Sequence, residues 1–168
     1  GSPAWYAFCS REIGNGASDV TRTPPNPDCC WGACRETCSL DKYEVLVVED
    51  DDSNCELIKY VLEGELGVCT IRATDGPAAL RLARDRMPAL ILLDLWLPGL
   101  GGLEVARLLR AIPETQDTPI VAVTAACVCP ATAYEAGCDD FVEKPFDLDV
   151  LLSKVRRHLT PPQQVGAA

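Results

Sequence analysis

Long apolar runs are missing from this sequence. None approaches the ~20 residues that a membrane-spanning helix needs, so membrane insertion is not expected. No basic segment followed by an apolar one opens the chain, so no secretory leader is expected either. Basic residues are scarce: 15 Lys and Arg stand against 25 Asp and Glu, for a net charge of −10. Recognition of a phosphate backbone depends on clustered Lys and Arg, which argues against nucleic acid as a direct partner. Nucleotide-binding fingerprints are lacking too. Gly99-Leu100-Gly101-Gly102 follows an apolar run but fits neither the dinucleotide pattern nor a P-loop. There is a single histidine, His158, which reads as a solvent-side residue near the end of the last helix. With 48% hydrophobic and 24% charged residues among 168, the composition is that of an ordinary globular protein with room for one domain and an appendage.

Cysteine, by contrast, is plentiful, at ten. Cys55, Cys69, Cys127, Cys129 and Cys138 are scattered among apolar or small neighbours, where reduced cysteines act as small hydrophobes, as suits a cytoplasmic protein. The other five fall within residues 1–41, a Cys- and Pro-rich extension whose breakers Gly14-Asn15-Gly16 and Pro24-Pro25-Asn26-Pro27 sustain no period. If Asp28 caps a short helix there, Cys30, Cys34 and Cys38 share one face. A packing stripe or disorder is the simpler reading. A thiol or metal site is the alternative, although the spacing matches no common zinc pattern.

The chain is organised around Ala89-Leu90-Ile91-Leu92-Leu93-Asp94, an apolar run of strand length that ends on one carboxylate before Leu97-Pro98-Gly99 breaks it. Apolar runs without alternation suit strands covered on both faces, as in a parallel sheet. An Asp at the carboxyl end of such a strand sits where open α/β sheets place their ligands, although an isolated one could simply cap the next turn.

Four more strands of the same kind are predicted: Glu44 to Val48, Val68 to Ala73, Pro119 to Thr124 and Asp140 to Glu143. Helices alternate with them. The first is capped by Ser53, with Leu57, Ile58, Val61, Leu62 and Leu66 inward; then come Gly76 to Met87, Gly101 to Ala111 and a short one over Ala131 to Ala136. The last is capped near Asp147, with Leu148, Leu151, Leu152, Val155 and Leu159 inward. Strands and helices in alternation predict a doubly wound five-stranded parallel sheet with helices on both faces, spanning residues 42–160. Residues 161–168 form a tail.

Polar residues recur at these strand ends: Glu49 and Asp50, Asp94, Thr124 and Lys144. Parallel strands bring them to one edge, where their side chains can converge. Carboxylates with a hydroxyl and an ammonium suit a hard divalent cation and a phosphoryl group. One carboxylate can then act as nucleophile and form an aspartyl phosphate, while cations offset the charge of the transferring group.

Val47-Val48-Glu49-Asp50-Asp51, Leu93-Asp94 with Leu97-Pro98 and Gly101-Gly102, Val123-Thr124-Ala125, and Ala136-Gly137-Cys138-Asp139-Asp140-Phe141 leading to Lys144-Pro145-Phe146 together resemble the receiver domain of two-component response regulators, such as the chemotaxis regulators. The likeness spans about Glu44 to Leu159. It implies a flavodoxin-like sheet of order 2-1-3-4-5 and a cis bond before Pro145. It also implies a phosphorylation-dependent switch that catalyses only its own phosphoryl transfer and dephosphorylation. Asp94 would be the phosphoacceptor. Mg²⁺ (or Mn²⁺) would be held by Asp50, Asp94, Glu49 through water, and the backbone carbonyl of Trp96. Thr124 and Lys144 would bind the phosphoryl group, and Phe141 would be the aromatic that moves with Thr124. The implied partners are a histidine kinase or phosphotransfer protein and a downstream protein target.

Two departures from the family pattern stand out. The stretch Cys127 to Glu135 is a residue or two short and contains Pro130, so the fourth helix should be stunted. Trp96 is bulky for its place two residues after the acceptor. That place also weighs against an aspartyl-phosphate phosphohydrolase, which wants a second Asp there. Other readings are a receiver module cut from a hybrid histidine kinase, or a thiol or metal sensor built on the N-terminal cysteines. His158, at the end of a helix, is not a plausible phosphodonor.

Overall fold

The structure, a computed structural model, describes residues 43–125 and 127–159. The expectations for residues 1–41 and for the tail lie outside them. Five strands and five helices alternate: β1 (Glu44–Val48), α1 (Asp52–Leu66), β2 (Cys69–Ala73), α2 (Gly76–Arg86), β3 (Leu90–Asp94), α3 (Gly102–Ala111), β4 (Ile120–Ala125), α4 (Pro130–Glu135), β5 (Asp140–Lys144) and α5 (Leu148–Leu159). All pairings are parallel, as the strand pattern predicts, and the strand order is β2-β1-β3-β4-β5, as the resemblance implies.

Side chains of a strand point alternately to its two faces, and here both faces are apolar. On β1 and β3, Leu46, Val48, Ile91 and Leu93 join Ala79, Ala83, Val105, Ala106 and Leu109 from α2 and α3. Val45, Val47, Leu90 and Leu92 meet Ile58 and Leu62 of α1 and Leu151 and Val155 of α5. The helices therefore cover both sides, and the polar ends of the strands are left at one edge. Leu90 to Leu93 are at most 1% exposed; each such side chain contributes about 1.5–3 kcal/mol. That burial fixes β3, and with it the position of Asp94.

The helix ends depart from expectation in instructive ways. Asp51, not Ser53, caps α1, accepting from the Asn54 N–H at 2.8 Å, so Ser53 already lies in the first turn. Cys55 replaces Leu57 in the buried stripe of α1, and Leu57 is exposed. Leu148 is exposed as well, because it stands in the first turn of α5, ahead of Leu151, the first buried residue of that helix. The fourth helix is stunted as expected, running only from Pro130 to Glu135. Cys55, Cys69 and Cys138 are buried, whereas Cys127 and Cys129 are exposed and do not act as core hydrophobes.

Candidate functional site

Four consecutive acids follow β1, and each takes a different task. Asp51 caps α1, and Asp52 pairs with Arg72 at 2.6 Å. Glu49 is buried and Asp50 exposed, and a carboxylate oxygen of each lies within 4.8 Å of one from Asp94. Like charges at that distance repel unless cations intervene, and a set of carboxylate oxygens is what a hard divalent cation takes. The residues present thus fit Mg²⁺ or Mn²⁺.

Lys144 supplies the compensating charge. Its Nζ donates to Glu49 Oε2 at 2.7 Å and to Asp94 Oδ2 at 2.8 Å. Burial works to lower the Lys144 pKa, but its bonds to Asp94 and Glu49 outweigh that and hold the ammonium above its ordinary value. Glu49 goes the other way from an ordinary ion-paired acid. Burial raises its pKa, and the charge of Asp94 adds to that, against the bonds from Lys144 and the Asp51 N–H. Three carboxylates against one ammonium leave the site negatively charged.

Asp94 is oriented at both oxygens: Oδ1 accepts from the Trp96 N–H at 2.8 Å, and Oδ2 faces Lys144. Gly102 packs against the Asp94 backbone so closely that a Cβ there would lie 2.3 Å from the Asp94 carbonyl oxygen. Trp96 itself is exposed. On the neighbouring strand Val123 aligns with Asp94, which places Thr124 at the same edge. Thr124 is fully buried, and its Oγ1 has no hydrogen-bond partner among the described residues. A buried hydroxyl left unpaired is costly, and here it stands beside the strand that carries Asp94. Phe141 pairs with Ala122 in the ladder and packs against the same apolar layer as that residue, so it shares a face with Thr124 rather than with Lys144. The peptide bond between Lys144 and Pro145 is cis.

The site thus gathers Glu49, Asp50, Asp94 and Lys144, with Thr124 at its border and Phe141 set back from it. Sequence reasoning recognised Lys144 alone as an internal cation and missed Arg72. Besides its pair with Asp52, Arg72 Nη2 donates to the Asp50 carbonyl at 3.3 Å, which steadies the acid run. A lone cation in the strand Cys69–Ala73, beside the strand that leads into the acids, was the available signal. His158 is a correction: it is not on the solvent side, and its Nε2 lies 3.2 Å from the buried carboxylate of Asp140. Asp140 opens β5, at the far edge of the sheet, and also holds Lys154 Nζ at 2.5 Å and Arg157 Nη2 at 3.4 Å.

Comparison with known proteins agrees with this geometry. The family model described as response regulator receiver domain matches residues 45–156. MtrA of Mycolicibacterium smegmatis, a DNA-binding response regulator, is 42% identical over 120 residues, which are 70% of this chain and 51% of that protein. The chain therefore spans about half the length of these relatives, and their DNA binding does not fit the expectation that nucleic acid is not a direct partner. DivK of Brucella anthropi, a polar-differentiation response regulator, is 34% identical over 117 residues, covering 68% of this chain and 94% of DivK. Among solved structures, the receiver domain of the Pseudomonas aeruginosa sensor histidine kinase PA1611, with a magnesium ion in its active-site cleft, is 31% identical. It aligns with a TM-score of 0.65 over 71% of this chain and 98% of its own. No helix among the described residues is long and apolar enough to cross a membrane. Sheet order, acidic cluster and family match agree, and this chain belongs to the response regulator receiver domains of two-component signalling.

Proposed function

We propose that residues 42–160 form a phosphorylation-dependent signalling switch in the cytoplasm, with Asp94 as the phosphoacceptor. The observation that carries this reading is the convergence of Asp94 with Glu49, Asp50 and Lys144 at one edge of the sheet. A histidine kinase or phosphotransfer protein donates the phosphoryl group, and a downstream protein reads the result. The carboxylate of Asp94 attacks phosphorus as the bond to the donor breaks, leaving an acyl phosphate on Asp94. Lys144, held protonated by its two carboxylate partners, pairs with a phosphoryl oxygen. Thr124 offers its unpartnered hydroxyl to another, and Phe141, on the same face of the sheet, follows the movement of Thr124. Mg²⁺ or Mn²⁺ would be held by Asp50, Asp94 and the Trp96 carbonyl, with Glu49 acting through water. The metal would supply charge stabilisation to the transferring group.

The test is incorporation of phosphate from acetyl phosphate or phosphoramidate, with and without Mg²⁺. Wild type is expected to form an alkali-labile adduct only with the metal, and Asp94→Asn none. An adduct of equal yield in Asp94→Asn would overturn the assignment.

A further inference from the structure

The described residues hold five cysteines, all free, and they divide by environment. Cys55, Cys69 and Cys138 are buried; burial pushes the Cys138 thiol up to about 11, which leaves it protonated and unreactive at neutral pH. Cys127 and Cys129 are exposed, in the loop between β4 and α4. Val128 between them is half-buried and packs on the apolar layer, so two exposed cysteines flank an anchored residue. Residues two apart in the chain, joined by two trans peptide spans of ~3.8 Å, can place their Cα atoms within the ~4.4–6.8 Å range that a disulfide spans. The loop also follows directly on Thr124, three residues before Cys127.

We propose that Cys127 and Cys129 form a redox site, oxidised by exchange with a small-molecule disulfide to an intramolecular Cys127–Cys129 disulfide that weakens phosphoryl binding at the neighbouring Thr124. The second half of this proposal rests on the role given to Thr124 above; the first half does not. One cysteine thiolate attacks the small disulfide, whose S–S bond breaks to release one thiolate and leave a mixed disulfide on the protein. The other cysteine thiolate attacks the protein-bound sulfur and expels the second thiolate. Two electrons pass from the cysteines to the small molecule, which leaves as two thiols carrying the two protons. Exposure favours each step, and exposed disulfides are the readily reduced, regulatory ones. The closed ring restrains residues 127–129, three residues beyond Thr124 in the chain, and Thr124 must shift its hydroxyl toward a phosphoryl oxygen.

The full chain, reduced and then treated with glutathione disulfide, is digested and mapped by mass spectrometry. The peptide bearing Cys127 and Cys129 should be lighter by two hydrogens, while Cys55, Cys69 and Cys138 stay alkylatable after denaturation. Affinity for beryllofluoride with Mg²⁺ should fall by about fivefold or more on oxidation. It should not change in the double variant Cys127→Ser, Cys129→Ser, which should match the reduced protein. Persistent free thiols, a stable mixed disulfide, or a bridge from either residue to another cysteine would overturn the redox site. Disulfide formation with unchanged beryllofluoride affinity would overturn the regulatory half. Failure of the reduced protein to bind beryllofluoride at all would instead count against the reading of Asp94 and Thr124, with the mapping still deciding the redox site.

Discussion

Asp94 and Asp140 are both buried carboxylates on this sheet, and they are compensated in opposite ways. Asp140, at the start of β5, stands alone among the cations Lys154 and Arg157 and the imidazole of His158, all reaching it from α5, and its own strand adds the Phe141 N–H at 2.8 Å. Burial works to raise its pKa, but Lys154, the Phe141 N–H and His158 outweigh burial and hold the carboxyl below its ordinary value. Asp94, at the end of β3, shares one ammonium with Glu49 and lies close to Asp50. There burial prevails, and Glu49 is pushed above the ordinary carboxylate range. A carboxylate surrounded by cations fastens a helix to a strand. A crowd of carboxylates with one cation between them is stable only at a cost, and it is the arrangement that a divalent cation and a phosphoryl group would complete.

The sharpest way to break this contrast is to neutralise each acid. Asp140→Asn is expected to lose about 3 kcal/mol in denaturant unfolding, at the low end of the loss on breaking a buried pair, because Lys154 and Arg157 are partly exposed and can turn to water. The pH dependence should follow the same lines. A carboxyl whose folded pKa is depressed contributes stability that is present above the unfolded value, near 3.8 for Asp140, and is lost as pH falls through the lower folded value. Acid unfolding of wild type should contain this loss, and Asp140→Asn should lack it. An unchanged acid limb in the variant would refute the assignment.

Next in size is the metal. At about tenfold excess over its Kd, Mg²⁺ should raise the stability of wild type by about 1.4 kcal/mol. Asp50→Ala should remove that gain, and an equal gain in the variant would place the ion elsewhere. Smaller still is the effect of Asp94→Asn on the metal-free fold. The variant relieves crowding with Glu49 and leaves Lys144 a partner, so stability should change by less than about 1 kcal/mol, and upward. A loss as large as that of Asp140→Asn would erase the distinction between the two sites. The smallest effect is expected on removing residues 1–40. Among the described residues the two apolar clusters already cover both faces of the sheet, so the unfolding midpoint should stay where it is in the full chain, and a large fall would show that the extension belongs to the core.

Much of this was legible in the sequence because the strands carry it. Leu90 to Leu93 could be read as a doubly covered strand because no polar residue interrupts it, and parallel strands leave no choice about the edge on which Asp94, Thr124 and Lys144 fall. What the sequence concealed depends on angles and on long side chains. Whether Ser53 or Asp51 caps α1 turns on which side chain meets the Asn54 N–H. Leu57 and Cys55 are both close enough to the apolar stripe that periodicity cannot separate them. Arg72 reaches across from β2 to the Asp50 carbonyl, and His158 turns back to Asp140 across a gap of 18 residues; neither contact follows from local spacing.

The central claim is that Asp94, rather than Glu49 or Asp50 beside it, carries the phosphoryl group. Borohydride cleaves an acyl phosphate and leaves the corresponding alcohol, so it marks the residue that was phosphorylated. After treatment with acetyl phosphate and Mg²⁺ followed by borohydride, peptide sequencing by mass spectrometry should find homoserine at position 94 alone. Reduction at position 49 or 50 instead, or at no acid in this cluster, would contradict the account.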